Sequence, residues 1–342
     1  MTSPARLPRI ATLASATALC ALLLAGCTAQ AQTPTESAEP EASGAESASE
    51  SAAFSPVTVD NCGTEITVDT PPERIVTVKS TTLELALALG LADRIVGSSY
   101  GDGPLPDNLA AAGEKIPEIS PKLPSQEAVL TVDPDFIFGG WESNFSVDGV
   151  GERDTLHTLG ITTYVAPSAC KAPEYMPHPL TFDTVFDDFI EAGRIFGVED
   201  AAEQLVDEQR AQLEALVPDA AGHTALWYSS GRDEPYVGAG IGAPAMLMEA
   251  AGLTNVFANE ENTWISASWE KVADLNPDVI VLINSPGNTI DDKIELLTTN
   301  PVTSTMDAVI NKRFVTLEFA EAEAGVRNVG SVAQLIEQLQ TL

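Results

Sequence analysis

Positive charge is scarce in this chain. Of 342 residues, 17 are Lys or Arg against 50 Asp or Glu, and the formal net charge is −33. A surface of that sign repels nucleic acid and gives an anionic membrane no basic patch to hold. A solvated acidic shell explains the charge; the alternative is a specific cationic partner. Histidine is nearly missing: His157, His178 and His223 lack the paired spacing of a metal site. Catalytic signatures are missing too, with no GxSxG, HExxH, CxxC or P-loop. Acidic pairs abound, but in so acidic a chain they carry no information. These absences point to a binding protein rather than an enzyme. Beyond residue 25 no stretch is apolar for long enough to cross a bilayer.

What is present begins with an address. Arg6 and Arg9 form a basic start, and Ile10 to Ala25 is an apolar run too short for a comfortable membrane span. It ends in Leu24-Ala25-Gly26-Cys27, which resembles the lipobox of bacterial lipoproteins. That resemblance implies cleavage after residue 26, acylation of Cys27 and a location on the outer face of the cell membrane. The alternative is an ordinary secretory signal. Residues 27–55, rich in Ala, Ser, Glu, Thr, Gln and Pro, bury too little apolar area to offset their ordering entropy and read as a disordered tether. Of four cysteines, Cys20 leaves with the leader and Cys27 takes lipid. Cys62 and Cys170 remain as an even pair in an oxidising compartment, read as a disulfide or as two buried thiols. A bridge would close a loop of 108 residues, worth about 4–5 kcal/mol in the chain-entropy model.

The body is organised around a segment that occurs twice. Ser125 to Phe138 reads SQEAVLTVDPDFIF, and Ser268 to Val281 reads SWEKVADLNPDVIV. In each, Ser suits a helix N-cap and a carboxylate two residues on (Glu127, Glu270) suits the first turn. Asx-Pro stops the helix, and a run of Phe, Ile and Val reads as a strand buried on both faces. One such recurrence predicts two similar α/β lobes rather than a solenoid. The first lobe spans 56–199. A hairpin over 54–68 turns at Asn61-Cys62-Gly63, and a strand follows over Arg74–Val78. Thr81 and Glu84 read as the capping box of a helix over 83–89. Arg94–Gly97 is a strand, and the Gly- and Pro-rich stretch 101–124 is a loop. Residues 182–217 are helical, broken at Gly197. The second lobe, 218–342, opens with the strand Thr224–Tyr228. The GxGxG at Gly238 to Gly242 reads as a tight turn or an anion cradle at a helix start. Helices over 290–297 and 331–339 flank a strand over 314–317.

The unit PPERIVTVKSTTLELALALGLADRIVGSS, the two SxE-helix-PD-strand segments, LGITTY at 159–164 and NKRFV at 311–315 together resemble the periplasmic binding proteins of ferric-siderophore and vitamin B12 ABC importers. The resemblance covers roughly residues 56–340. It implies two Rossmann-like lobes with central parallel sheets, joined by a long rigid helix placed at 200–217, with a ligand cleft between them. It implies a monomer that captures a small chelate and docks on a permease dimer, with Glu127 and Glu270 offering one carboxylate to each permease subunit. The alternative for both is helix-dipole stabilisation alone.

Ligands of open α/β sheets bind beyond the carboxyl ends of strands. Eight residues there are candidates: Lys79, Tyr100, Trp141, Tyr228, Arg232, Tyr236, Trp264 and Arg327. Aromatic faces could pack on a chelate while Arg and Lys pair with its oxygens. Core packing is the alternative for Tyr100 and Trp141, and surface ion pairs for Arg232 and Arg327. The expected ligand is a ferric siderophore, with the iron held by its chelator and no intrinsic cofactor. Cobalamin or haem is the runner-up, Tyr100 or Tyr236 being the axial candidates for haem. A surface adhesion or structural lipoprotein is the reading from another class.

Overall fold

The computed structural model describes residues 54–342. The leader, Cys27 and the tether up to residue 53 lie outside the described residues. Phe54 already packs on the core.

Strands β1 (Val57–Asn61) and β2 (Thr64–Val68) pair as the predicted hairpin, turning through Cys62 and Gly63 at positive φ. The first lobe continues through β3 (Ile75–Val78), α1 (Ser80–Ala88), β4 (Ile95–Ser99), α2 (Asp107–Gly113), β5 (Glu118–Ser120), α3 (Gln126–Leu130), β6 (Phe136–Gly139), α4 (Arg153–Thr158) and β7 (Thr162–Val165). Its sheet runs β5-β4-β3-β6-β7, parallel throughout. Side chains alternate between two cores, as a doubly covered sheet requires. Phe136 and Phe138 pack on one face, while Ile137 joins Val76, Val78 and Val129 on the other.

Two stretches differ from the sequence expectation. The stretch 101–124 is not a plain loop: Pro106 stands at the N-cap of α2, whose buried Leu109 joins the core, and β5 adds an edge strand. Helix α1 starts at Ser80, not after Thr81, and has no side-chain cap. Glu84 is therefore free of the capping role assigned to it, and its carboxylate goes elsewhere.

The lobes are joined through two helices, α5 (Phe182–Phe196) and α6 (Glu199–Glu214). Gly197, at φ 65, supplies the left-handed cap between them. The predicted bridge of 200–217 stops at Glu214, since the ring of Pro218 would clash with the carbonyl of the residue four before it in a continued helix. Phe186, Phe189 and Phe196 of α5 and Val206 of α6 belong to the same core as Trp227 and Leu335 of the second lobe. One continuous apolar core thus runs through both lobes.

The second lobe contains β8 (Thr224–Ser230), β9 (Tyr236–Gly238), α7 (Ala243–Ala251), β10 (Thr254–Asn255), β11 (Trp264–Ser266), α8 (Trp269–Leu275), β12 (Val279–Asn284), α9 (Ile290–Thr299), α10 (Asp307–Ile310), β13 (Phe314–Glu318) and α11 (Asn328–Leu339). Its order is β11-β9-β8-β12-β13, with β10 also on β8. This sheet is not parallel throughout. Only residues 231–235 separate β8 from β9, too short a link for a parallel crossover, so β9 returns antiparallel and β11 pairs antiparallel with it. Gly240 lies where an added Cβ would come within 2.2 Å of the Ala258 carbonyl, so the GxGxG stretch is a close backbone crossing.

The repeated segment has the same anatomy in both lobes. Ser125 Oγ accepts from Ala128 N at 3.3 Å, and Ser268 Oγ from Lys271 N at 3.2 Å. Asp133 and Asn276 both adopt positive φ ahead of the proline. The following aspartates do a job the linear pattern does not show. Asp135 accepts from the backbone N–H groups of Glu73 and Arg74 at the entrance to β3, and Asp278 from Thr224 at the entrance to β8. Each pins the central strand of its own sheet.

Candidate functional site

The carboxyl ends of the strands meet between the lobes, and what gathers there starts with Lys79. It directly follows β3, at φ 86, and Tyr100 directly follows β4, at φ 57. Positive φ at non-glycine residues is uncommon and strained. Both are held by the sheet: Lys79 N donates to Ser99 O at 3.0 Å and Tyr100 N to Ser120 O at 2.9 Å. Gly140 makes room, since a Cβ there would meet Lys79 Cβ at 2.7 Å. The Lys79 ammonium pairs with Asp102, itself fixed by accepting from Ser80 N and donating its own N–H to Ser80 Oγ. Its Nζ lies 3.8 Å from the Trp141 ring centroid, 4.5 Å from Tyr100 and 5.0 Å from Phe319. Cation–π contacts of this kind are worth about 2 kcal/mol when desolvated. Lys79 is 2% exposed. It is a buried support for the aromatic wall and has no open face for a ligand.

Phe319 belongs to the second lobe, so this cage crosses between lobes. So do three other contacts. Trp141 Nε1 donates to Glu323 Oε1 at 2.7 Å. Leu180 N donates to Ile241 O at 2.9 Å. Arg327 donates from Nε and Nη2 to the two carboxylate oxygens of Glu84, at 2.7 and 2.6 Å, and from Nη2 to Pro104 O at 2.7 Å. The Glu84 side chain is 1% exposed and that of Arg327 12%. Arg327, read from sequence as a ligand-pairing group, is thus occupied as an interlobe clamp.

Above the cage lies a cleft of about 350 Å³. The first lobe contributes Trp141, Ser143 and Lys171; the second contributes Ser229, Ser230, Tyr236, Trp264, Phe319 and Glu323. A narrower extension of about 70 Å³ shares Trp141, Lys171, Trp264 and Glu323. The aromatic walls are ordered by their own contacts. Tyr236 and Trp264 stack at 5.7 Å with planes 12° apart, and Trp141 meets Phe319 edge-on at 6.3 Å. Tyr236 opens β9 and Trp264 opens β11, which places the stack on an antiparallel edge rather than in the loops expected for them.

Of the eight sequence candidates, the structure brings Trp141, Tyr236 and Trp264 to the cleft wall. Tyr100 stands behind Trp141, 5.7 Å away and edge-on. Tyr228 does not reach the cleft: it is 1% exposed, packs edge-on against Trp269 and donates its hydroxyl to Gly231 O. Its place inside β8 turns it into the outer core of that sheet. Arg232 is exposed, but it does not line the cleft. Cys62 and Cys170 are bonded, with Cα atoms 5.3 Å apart. Glu127 and Glu270 are exposed in the first turns of α3 and α8.

Sequence reasoning missed Lys171, Phe319 and Glu323. Phe319 directly follows β13, so the strand-end rule contained its signal. Glu323 was hidden among 50 acidic residues. Burial pushes its carboxyl up to about 7, with the charge of Lys79 pulling the other way. Its Oε2 is buried without a hydrogen-bond partner. Among the described residues no three His, Cys, Asp or Glu side chains converge to hold a metal ion, and no helix is long and apolar enough to cross a membrane.

Residues 75–321 match the profile of a family described as periplasmic binding protein. YvrC, an ABC transporter substrate-binding lipoprotein of Bacillus subtilis, is 24% identical over 232 residues, 66% of this chain and 68% of that protein. A cobalamin-binding protein of Halobacterium salinarum is 28% identical over 235 residues, 65% of this chain; the match spans 57% of that protein's length. A crystal structure from Saccharomonospora viridis, described as an ABC-type Fe3+-hydroxamate transport system, superposes with a TM-score of 0.73 at 25% identity, covering 84% of this chain and 99% of that one.

Proposed function

Since the chain belongs to the periplasmic binding protein family of ABC-transporter substrate-binding proteins, which are not enzymes, we propose that it captures a ferric siderophore and hands it to a membrane permease. The observation that carries this reading is the interlobe cleft, walled by aromatic rings from both lobes. Rings on two sides offer broad apolar faces against which a chelate can pack. The Saccharomonospora relative is named for an Fe3+-hydroxamate system, and the same kind of ligand suits this wall. Iron itself stays within its chelator. The Halobacterium relative favours a second reading, a corrinoid ligand in the same cleft.

The chain acts outside the cell membrane, held by lipid at Cys27. The lipoprotein relative supports this location. Glu127 and Glu270 dock on the permease. Each stands at the start of a helix that leads into a parallel strand, hence on the carboxyl side of its sheet, and among the described residues neither makes an ion pair. Similar lobes suit a partner with two-fold symmetry.

Tryptophan fluorescence tests the ligand, because Trp141 and Trp264 line the cleft. Saturable quenching by ferric siderophores is the expected result; quenching by cobalamin alone selects the second reading, and silence towards siderophores, corrinoids and haem rejects both. For docking, E127A/E270A should leave ligand affinity intact and lower uptake by cells. Uptake equal to wild type removes the docking assignment.

A further inference from the structure

Glu323 follows β13 in the loop before α11, two residues beyond the stretch that matches the family profile. It lines both the main cleft and its narrow extension. One oxygen is engaged by Trp141 Nε1, while Oε2 is buried and has no partner. A buried acceptor left unpaired is costly, and protein interiors rarely leave one so. The charges around it are already spent. Lys79, beneath Trp141, is neutralised by Asp102, and Arg327 by Glu84. Lys171 is the one cation on the cleft wall, and it forms no ion pair among the described residues. The wall therefore presents one cation, one acid and a set of aromatic faces. A chelate bearing several negative charges would gain little from it and would be repelled by the chain as a whole.

We propose that Glu323 is the specificity-determining acceptor of the cleft, and that it selects chelates of low charge carrying N–H donors over polyanionic ones. The proposal rests on the chelate-binding reading above and adds the ligand's charge and donor pattern. The ligand lays an apolar face on Trp264 and Trp141 and donates an N–H to Oε2. Amide groups in a hydroxamate siderophore and carboxamides on a corrinoid share this chemistry. Burial raises the Glu323 carboxyl to about 7, with Lys79 and Lys171 lowering it and Asp102 raising it, so the acceptor is ionised at pH 8.

The test compares wild type with E323Q at pH 8 by fluorescence titration. The probes are ferrioxamine B and cyanocobalamin, which carry amide N–H groups, and iron(III) tris-catecholate, a trianion without any. Gln keeps the bond to Trp141 through its carbonyl and turns an NH2 towards the ligand, where Glu offered an acceptor. Wild type should bind at least one N–H probe more tightly than the tris-catecholate. In E323Q that preference should fall by about tenfold or more, as expected when a hydrogen bond to a charged group becomes a donor–donor clash. A cooperative melt at a temperature no lower than that of wild type shows that the variant is folded. An unchanged preference in folded E323Q overturns the role of Glu323 while leaving chelate binding intact. Wild type that prefers the trianion also overturns it. Wild type that binds no probe overturns the chelate-binding reading itself.

Discussion

Replacing Arg327 with Met removes the clamp between the lobes and leaves Glu84 alone. The Glu84 side chain is 1% exposed, so its carboxylate can neither reach water nor find another cation. Its escape is to take up a proton. Burial already raises Glu84 above its ordinary 4.5 in the intact protein, with Arg327 offsetting part of the rise, so protonation at pH 7 costs at most about 3 kcal/mol more in the variant. The Pro104 carbonyl loses its donor as well, roughly 1 kcal/mol. The expected loss is about 2–4 kcal/mol at pH 7, a fall in melting temperature of about 4–8 °C at roughly 2 °C per kcal/mol. The charge part must shrink with acidification. An unpaired buried carboxyl has a raised folded-state pKa, so its share of stability is present at low pH and lost as pH rises through that value. At pH 5 the loss should be only about 1–2 kcal/mol. The double variant E84L/R327M, with no buried charge, should recover most of it. Circular dichroism melts at pH 5 and pH 7 measure all of this. An R327M variant within 1 kcal/mol of wild type at pH 7 would refute the claim that Arg327 compensates a buried carboxylate.

Other outcomes follow from the same geometry. Reducing the Cys62–Cys170 bond, or replacing both residues with Ala, should lower stability by about 3–5 kcal/mol, because the bridge closes a separation of 108 residues; melts with and without reductant check it. Glu323 is raised to about 7 and Asp188 to about 8, both by burial. Each contribution is fully present only below the ordinary values of 4.5 and 3.8 and is lost as pH rises through about 7 and 8, so E323Q and D188N should gain stability over wild type progressively from pH 4 to pH 8 in melting experiments. Trp264→Ala removes half of the stacked pair in the cleft; ligand affinity should fall at least tenfold in fluorescence titration while the melting temperature moves by only a few degrees.

Local chemistry along the chain was enough to determine a good deal here. The paired SxE-helix-PD-strand segments place an N-cap, a helix stop and a buried strand in each half, and both halves fold that way. Cap geometry and the avoidance of helix before proline depend on neighbours in sequence, so they can be read in sequence. Trp141 reaches the cleft just beyond the carboxyl end of β6, where open sheets leave room, whereas Tyr236 and Trp264 reach it from the antiparallel edge. Direction and partnership were decided only in three dimensions. Strand β9 turns antiparallel because its link to β8 is short, which sets Tyr236 against Trp264 across a sheet edge. Arg327 and Glu84 are far apart along the chain, and Lys79 and Phe319 likewise; each is joined only when the lobes pack. A basic residue at a strand end looks the same in sequence whether it awaits a ligand or is already paired. Which it does depends on the charge that the other lobe brings to it, and only packing of the two lobes through their shared core supplies that charge.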